Sequence, residues 1–217
     1  CPLVPRPAPE SRFSRLTVSK HTDLRLLEVA ADTERIAFRT PIKFGGRVVE
    51  FIDEHGTSRF HWVETDDVAA MAFDTPVPGY GNKTVNNMRL WSAKASRDFN
   101  LKSFNEGNYF KAVEEKNESE NLSKVLYPDD STPSGKELRL KQQYFFVSAS
   151  LQDMLAQHLA EGRALESLPD AWAIQMNDTH PALAVPELLR ILLDEARLGW
   201  DQAWDLTRRT LAYTNHT

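Results

Sequence analysis

Between Lys136 and Gly162 no proline interrupts the chain, and Tyr144, Val147, Leu151, Met154, Leu155 and His158 recur three or four residues apart. That spacing places them along one face of a single long helix. A rod of this length with one apolar stripe must bury it, so the rest of the chain has to supply partner surfaces on its flank. The sequence on either side offers two different kinds of partner.

Upstream the signals are those of strands. Gly45-Gly46 marks a turn, and Arg47–Ile52 is a run rich in Val, Phe and Ile. Asp53-Glu54-His55-Gly56 supplies turn chemistry before Arg59–Thr65 returns, which predicts a hairpin. Val68–Phe73 is a third apolar run; Pro76, Pro78, Gly79 and Gly81 predict a loop before a further extended run over Thr84–Ala93. Residues 1–38 stand apart, because Pro2, Pro5, Pro7 and Pro9 exclude regular structure at the start and only Leu24–Val29 hints at a strand.

Downstream the signals are helical. Asn108–Leu126 has helix-forming composition, yet Glu114–Asn121 is polar on every face, so this helix is expected to project, fray or meet a partner. After the Tyr127–Ser131 loop and the long helix, Trp172–Met176 predicts a short strand. Thr179 is the expected N-cap of the next helix, with Pro181 in its first turn and regular structure starting near Pro186. Gly199 is expected to end it, and Asp201–Tyr213 to form a last helix with Trp204 and Leu211 inward. The fold class is therefore α/β, with a β-rich first half and a helical second half. A strand, a polar loop and a helix in that order present ligands at strand C-terminal ends.

Charge and cysteine content narrow the function classes. A net charge of -5 argues against general nucleic-acid or anionic-membrane binding, and no apolar run approaches a membrane span. Cys1 is the single cysteine, so no intrachain disulfide forms and a cytoplasmic location is expected. In that compartment the Asn-x-Ser/Thr triplets at Asn82, Asn117, Asn121, Asn177 and Asn215 are chance matches to a glycosylation signal. His21, His55, His61, His158, His180 and His216 show no metal-ligand spacing, and Phe44-Gly45-Gly46-Arg47 precedes a strand rather than a helix, unlike a phosphate loop.

Three polar groups remain as candidates for chemistry. Asp178 and His180 follow the short strand; a carboxylate there can fix the imidazole tautomer toward a hydroxyl-rich ligand, although the same residues suit helix capping. Asp129, Asp130 and Ser131 lie in a loop between helices, where they can contact sugar hydroxyls or serve as ordinary turn residues. Asn215-His216 follows Tyr213 in a polar run unlike core filler.

These groups sit in longer blocks: FGGRV at Phe44–Val48, DTPVPGY at Asp74–Tyr80, and TVNNMRLWSAKA at Thr84–Ala95. Asp98–Asp130, GKELRLKQQYF at Gly135–Phe145, Ile174–Glu195 and AYTNHT at Ala212–Thr217 continue the series. Together they span nearly all of residues 41–217 and resemble the glycogen and maltodextrin (α-glucan) phosphorylases. The resemblance implies that residues 39–217 form a partial N-terminal lobe of a two-lobed, GT-B type glycosyltransferase, with residues 1–38 unmatched. It implies transfer of a terminal α-1,4-linked glucosyl unit to inorganic phosphate, releasing glucose 1-phosphate. It also implies pyridoxal 5'-phosphate in the other lobe, on a lysine in a Gly-Thr-x-Asn-Met-Lys type segment that this sequence does not contain.

Carried over by position, the resemblance gives His216 the glucosyl unit at the cleavage point, Asp178 and His180 the neighbouring acceptor subsite, and Asp130 and Ser131 the mobile gate loop. Ser131 stands where many animal enzymes have a sugar-contacting Asn. It implies a homodimer joined through the 108–126 helix. Animal enzymes carry paired arginines, for a nucleotide phosphate, where Ala156 and Gln157 stand here, while Arg89 is kept; AMP activation is expected to be absent or weak. The chain is expected to be a piece of a longer enzyme, without phosphorolysis by itself. Two other readings are a stand-alone, non-catalytic oligosaccharide-binding or dimerisation module and an unrelated nucleotide-sugar glycosyltransferase.

Overall fold

A computed structural model of the chain describes residues 36–95 and 107–216. The strand hinted at in Leu24–Val29, with the rest of the segment before Ile36, lies outside the described residues. Five strands come first: β1 (Ile36–Phe44), β2 (Arg47–Ile52), β3 (Ser58–Val63), β4 (Asp66–Pro78) and β5 (Val85–Ala95). Helices α1 (Tyr109–Lys124) and α2 (Pro133–Ala160) follow, then a 3-10 turn (Leu165–Ser167) and the short α3 (Leu168–Ala171). Strand β6 (Ile174–Asn177), helix α4 (Ala184–Arg190), a π turn (Ile191–Glu195), helix α5 (Trp200–Thr210) and strand β7 (Leu211–Thr214) complete the described chain. The first half is β-rich and the second mostly helical, as the patterning predicts.

The strands form three separate sheets, in the orders β1-β4-β5, β2-β3 and β6-β7. The first two are antiparallel and the third is parallel. Gly46 makes the β1–β2 turn at φ +67, where an added Cβ would stand 2.3 Å from the Val63 carbonyl oxygen. Strand β4 runs on through Pro76 and Pro78, where a loop is expected from sequence. Beyond Phe73 it pairs with β5 and, among the described residues, with no strand on its other side. The Gly79 amide bonds Thr84 O at 2.8 Å, so by strand alternation the prolines' missing amides face away from β5 and cost its ladder no hydrogen bond.

Helix α2 divides the interior between two clusters. Phe145 and Ala149 pack with Ile42, Val68, Ala70 and Ala93 from the sheet, a layer built from small side chains. Val147, Leu151, Met154 and Leu155 pack instead with Leu188, Leu192, Ile174, Met176 and Leu206. Burying each Leu contributes about 1.5–3 kcal/mol, so the second cluster holds the helical half.

Helix α1 is exposed at Glu114, Asn117 and Glu118 but docked at its C-terminal end. Leu122 is buried in the sheet cluster, and the Ser123 hydroxyl accepts the Ala93 amide at 2.8 Å. Leu122, the Ser123–Ala93 bond and the Glu120–Lys94 ion pair at 3.7 Å anchor the C-terminal end of a helix that its polar middle predicts to project, fray or meet a partner.

Three boundaries differ from expectation. Thr179 caps no helix: residues 179–183 form turns, Leu183 precedes α4, and Pro186 occupies its first turn, where the missing amide has no partner to lose. Gly199 precedes α5 rather than ending the helix before it. Helix α5 stops at Thr210 because Leu211–Thr214 pairs with Ile174–Asn177 as β7, and Trp204 is exposed. The buried positions are Ala203, Leu206, Thr207 and Thr210, the two hydroxyls bonding Ala203 O and Leu206 O one turn back. Threonine can therefore face the core without leaving a donor unpaired.

Candidate functional site

The C-terminal ends of the parallel strands β6 and β7 bring two distant segments together. Asn177 and Thr214 are register partners, and the Asp178 amide bonds Thr214 O at 2.8 Å. Asp178 then turns the chain out of the strand at φ 66, a left-handed conformation that Asp tolerates. Its Oδ1 accepts the Thr179 amide at 2.7 Å. Just past β7, the His216 Nε2 hydrogen bonds Asn177 Oδ1 across the pair of strands.

His180 faces a different segment. Its Nε2 lies 2.8 Å from the Tyr127 hydroxyl, with the two rings tilted at a centroid distance of 5.2 Å. The expected pairing of Asp178 with His180 is replaced by these separate partners. An imidazole turned toward a tyrosine two helices earlier in the chain ties the loop after β6 to the loop before α2.

That second loop is held at several points. The Asp129 carboxylate accepts the Ser131 amide at 3.0 Å and the Ser131 hydroxyl at 2.6 Å, and the Ser131 hydroxyl bond above all holds it below the ordinary carboxylate value of 3.8. Asp130 pairs with Arg139 at 2.5 Å, and the Arg139 guanidinium lies 4.1 Å from the Tyr127 ring centroid. Gly135 permits this close loop: an added Cβ would stand 1.9 Å from Asp129 O. Thr132 caps α2 by accepting the Gly135 amide at 3.1 Å. Asp130, Arg139, Tyr127 and His180 thus form one continuous polar chain.

Behind the site Glu187 is 3% exposed, yet its carboxylate is fully engaged. It takes two bonds from Arg190 at 2.8 and 3.0 Å, the Ser148 hydroxyl at 2.6 Å and the Tyr144 hydroxyl at 3.3 Å. Burial, then the neighbouring Glu187 charge, pushes the Tyr144 hydroxyl far above its usual range. This group joins α2 to α4 and fixes the helix that follows the His180 loop.

The structure therefore sets His216 beside Asn177, His180 beside Tyr127, and Asp130 on Arg139, while Ser131 closes onto Asp129. Tyr127, Arg139 and Asn177 were not assigned a role in the site from sequence, although Asn177 and Tyr127 lie in the runs that carry it. The Tyr127-Pro128 step at φ 60 is the one local oddity that points to the first of them. The arrangement offers imidazoles, amides, carboxylates and a phenol, suited to orienting hydroxyl groups.

Arg89 is occupied elsewhere. It pairs with Asp74 at 2.6 and 2.7 Å and with Asp153 at 2.5 Å, while Gln157 donates to Asp153 at 2.7 Å. The pyridoxal phosphate implied by the resemblance finds no fitting residues here, since among the described residues no lysine is buried to form and protect an imine. Among the described residues no His, Cys, Asp and Glu cluster suits a metal ion, and no helix is long and apolar enough to cross a membrane.

A profile of the family described as "Carbohydrate phosphorylase" matches residues 26–217, beginning upstream of the boundary that the sequence blocks suggest at residue 38. The chain is 53% identical over 191 residues to glycogen phosphorylase, muscle form, of Mus musculus, covering 84% of this chain and 22% of that one. It is 50% identical over 194 residues to the liver form of Homo sapiens, covering 86% and 22%. To glycogen phosphorylase 2 of Dictyostelium discoideum it is 50% identical over 186 residues, covering 86% and 19%. The chain thus spans about a fifth of the length of the curated relatives it matches.

Proposed function

The chain belongs to the carbohydrate phosphorylase family, and from that premise we propose that it forms one wall of a cleft in which an intact enzyme splits α-1,4-glucans. The enzyme transfers a terminal glucosyl unit of glycogen or maltodextrin to inorganic phosphate and releases glucose 1-phosphate. It has two lobes of the GT-B type and acts in the cytoplasm. Pyridoxal phosphate and the phosphate-binding cations belong to other segments, so this chain alone carries out no phosphorolysis.

The reading rests on one observation above the family match: two loops and the end of β7, far apart in sequence, converge their hydrogen-bonding groups at the same strand ends. His216 orients the glucosyl unit at the cleavage point, and Asp178 and His180 line the acceptor subsite. Asp130 and Ser131 belong to the gate. Opening it breaks exposed contacts only, chiefly Asp130–Arg139 and Tyr127–His180, and such low-cost contacts suit a lid. Helix α1, with Glu114, Asn117 and Glu118 exposed, joins two subunits into a homodimer.

Glucose 1-phosphate formation by the intact enzyme tests the proposal. His216→Ala and His180→Ala are expected to lower kcat/KM by about 10²-fold, the size of a lost positioning contact, with little change in stability. Undiminished activity in both variants would refute the assignment. AMP is expected to leave the rate nearly unchanged, since Arg89 is already saturated by Asp74 and Asp153; clear stimulation would count against it.

A further inference from the structure

Tyr144, Ser148 and Gln152 stand four residues apart on α2 and form a polar stripe between its two apolar faces. Each has a partner on another element. The Gln152 side-chain nitrogen donates to Pro41 O at 3.2 Å and to the Ser148 hydroxyl oxygen at 3.1 Å, and its carbonyl oxygen accepts the Thr40 hydroxyl. Ser148 is fully buried and donates to Glu187 Oε1 at 2.6 Å; Tyr144 donates to the same oxygen at 3.3 Å. The relay thus runs from β1 across α2 to α4, and Arg190 extends it to Glu195 in the π turn.

Donor and acceptor accounting fixes the direction of this relay. Pro41 has no amide proton and offers only a carbonyl, so the Gln152 nitrogen must face it. Both protons of that nitrogen are then spent, one on Pro41 and one on Ser148. With Gln152 donating to it, the single Ser148 proton is left for Glu187. These bonds weaken steeply when their geometry is disturbed. The apolar contacts between the same helices, Val147 and Leu151 with Leu188 and Leu192, carry no such direction. A short slide of α4 along α2 would leave the buried apolar area nearly unchanged and would break the Ser148 bond.

The loop after β6 rides on α4. Backbone bonds join the two: Ala182 N to Thr179 O at 3.0 Å, Ala184 N to Pro181 O at 2.9 Å, and Glu187 N to Leu183 O at 3.0 Å. His180 lies within this run and meets Tyr127, whose ring carries the Arg139 guanidinium of α2. The two partners of the 2.8 Å Tyr127–His180 bond are therefore tied to different helices, and the seat of α4 on α2 sets their separation. We propose that Ser148 is a positioning residue for the candidate site: through Glu187 it fixes where α4 presents His180 to the glucan. The glucan rests on the function proposed above, whereas the placement of His180 against Tyr127 does not.

The test is a double-mutant cycle in the intact enzyme, read as kcat/KM for phosphorolysis of a maltooligosaccharide, beside crystal structures of the variants without ligand. Ser148→Ala removes one oxygen and keeps Arg190 and Tyr144 on Glu187. It is expected to lower kcat/KM about tenfold, less than the roughly 10²-fold that an ångström of misplacement costs. Tyr144→Phe, which removes the longer bond, should lower it less. Ser148→Ala combined with His180→Ala should be no worse than His180→Ala alone, because the group that Ser148 acts through is then absent. His216 is held by Asn177 of β6 instead, so His216→Ala and Ser148→Ala should multiply their losses. In the Ser148→Ala crystal the Tyr127–His180 bond should be broken. An unmoved His180 there, with losses that multiply in both pairs, would overturn the positioning role and leave the enzymatic reading standing. A displaced His180 in an enzyme whose phosphorolysis survives His180→Ala undiminished would overturn the acceptor reading of His180 and leave its placement by Ser148.

Discussion

The Glu187 cluster and the Tyr127–His180 cluster use similar side chains at two depths. Glu187 is buried and bonded to Arg190, Ser148 and Tyr144, so water never competes for its carboxylate. Asp130 is exposed, and Tyr127 meets His180 at the surface, where each can exchange its partner for water. Buried, such a network makes the packing of α2 on α4 specific and is costly to break. Exposed, the same chemistry holds a loop more weakly. On the function proposed above, that loop adapts to a ligand while the helix behind it stays fixed.

Breaking that contrast should show the largest effect at its buried pole. Glu187→Ala leaves the Arg190 guanidinium partly buried without its main partner and is expected to lower unfolding free energy by about 3–5 kcal/mol in chemical denaturation. A loss under 1 kcal/mol would show that the cluster is not structural. Leu192→Ala, fully buried beside it, should cost about 2–5 kcal/mol by the same measurement. Gly135→Ala probes the junction of the two depths, because its Cβ must displace Asp129 O. A loss of about 1–3 kcal/mol is expected, with weaker saccharide binding as the loop shifts.

At the exposed pole the effects shrink. Tyr127→Phe should cost less than about 1 kcal/mol while changing KM for glucan more than stability. A stability loss as large as that of Glu187→Ala would erase the contrast. The smallest effect is on pH. Asp129 is held below its ordinary value by Ser131, so its contribution is fully present above 3.8 and disappears as pH falls through the lower folded-state value. Loop order followed by NMR should persist at pH 4 in the parent chain, and Ser131→Ala should lose it at higher pH.

Much of the scaffold was legible locally. The stripe Val147, Leu151, Met154 and Leu155 specifies α2 and its buried face, and the run Arg47–Ile52 with its turn specifies a hairpin. Legibility failed where a polar residue was satisfied by its own backbone, as at Thr207 and Thr210, or where a strand tolerated proline because the missing amide faces away from its partner, as at Pro76 and Pro78. Leu211–Thr214 reads as the tail of a helix because its strand partner lies far earlier in the chain. In the candidate site, Asp178, His180 and His216 were visible as polar residues at element ends. Their partners Asn177, Tyr127 and Arg139 were not, since contact across the fold leaves no local pattern.

By itself the amino-acid order determined the family, the long helix, the class of fold and the polar residues available at the element ends, because periodicity and turn chemistry act between near neighbours. The tertiary structure alone decided which of those residues meet and which carboxylate is buried. Burial and hydrogen-bond partnership are set by chain segments that pack from a distance, and no short stretch of sequence contains them.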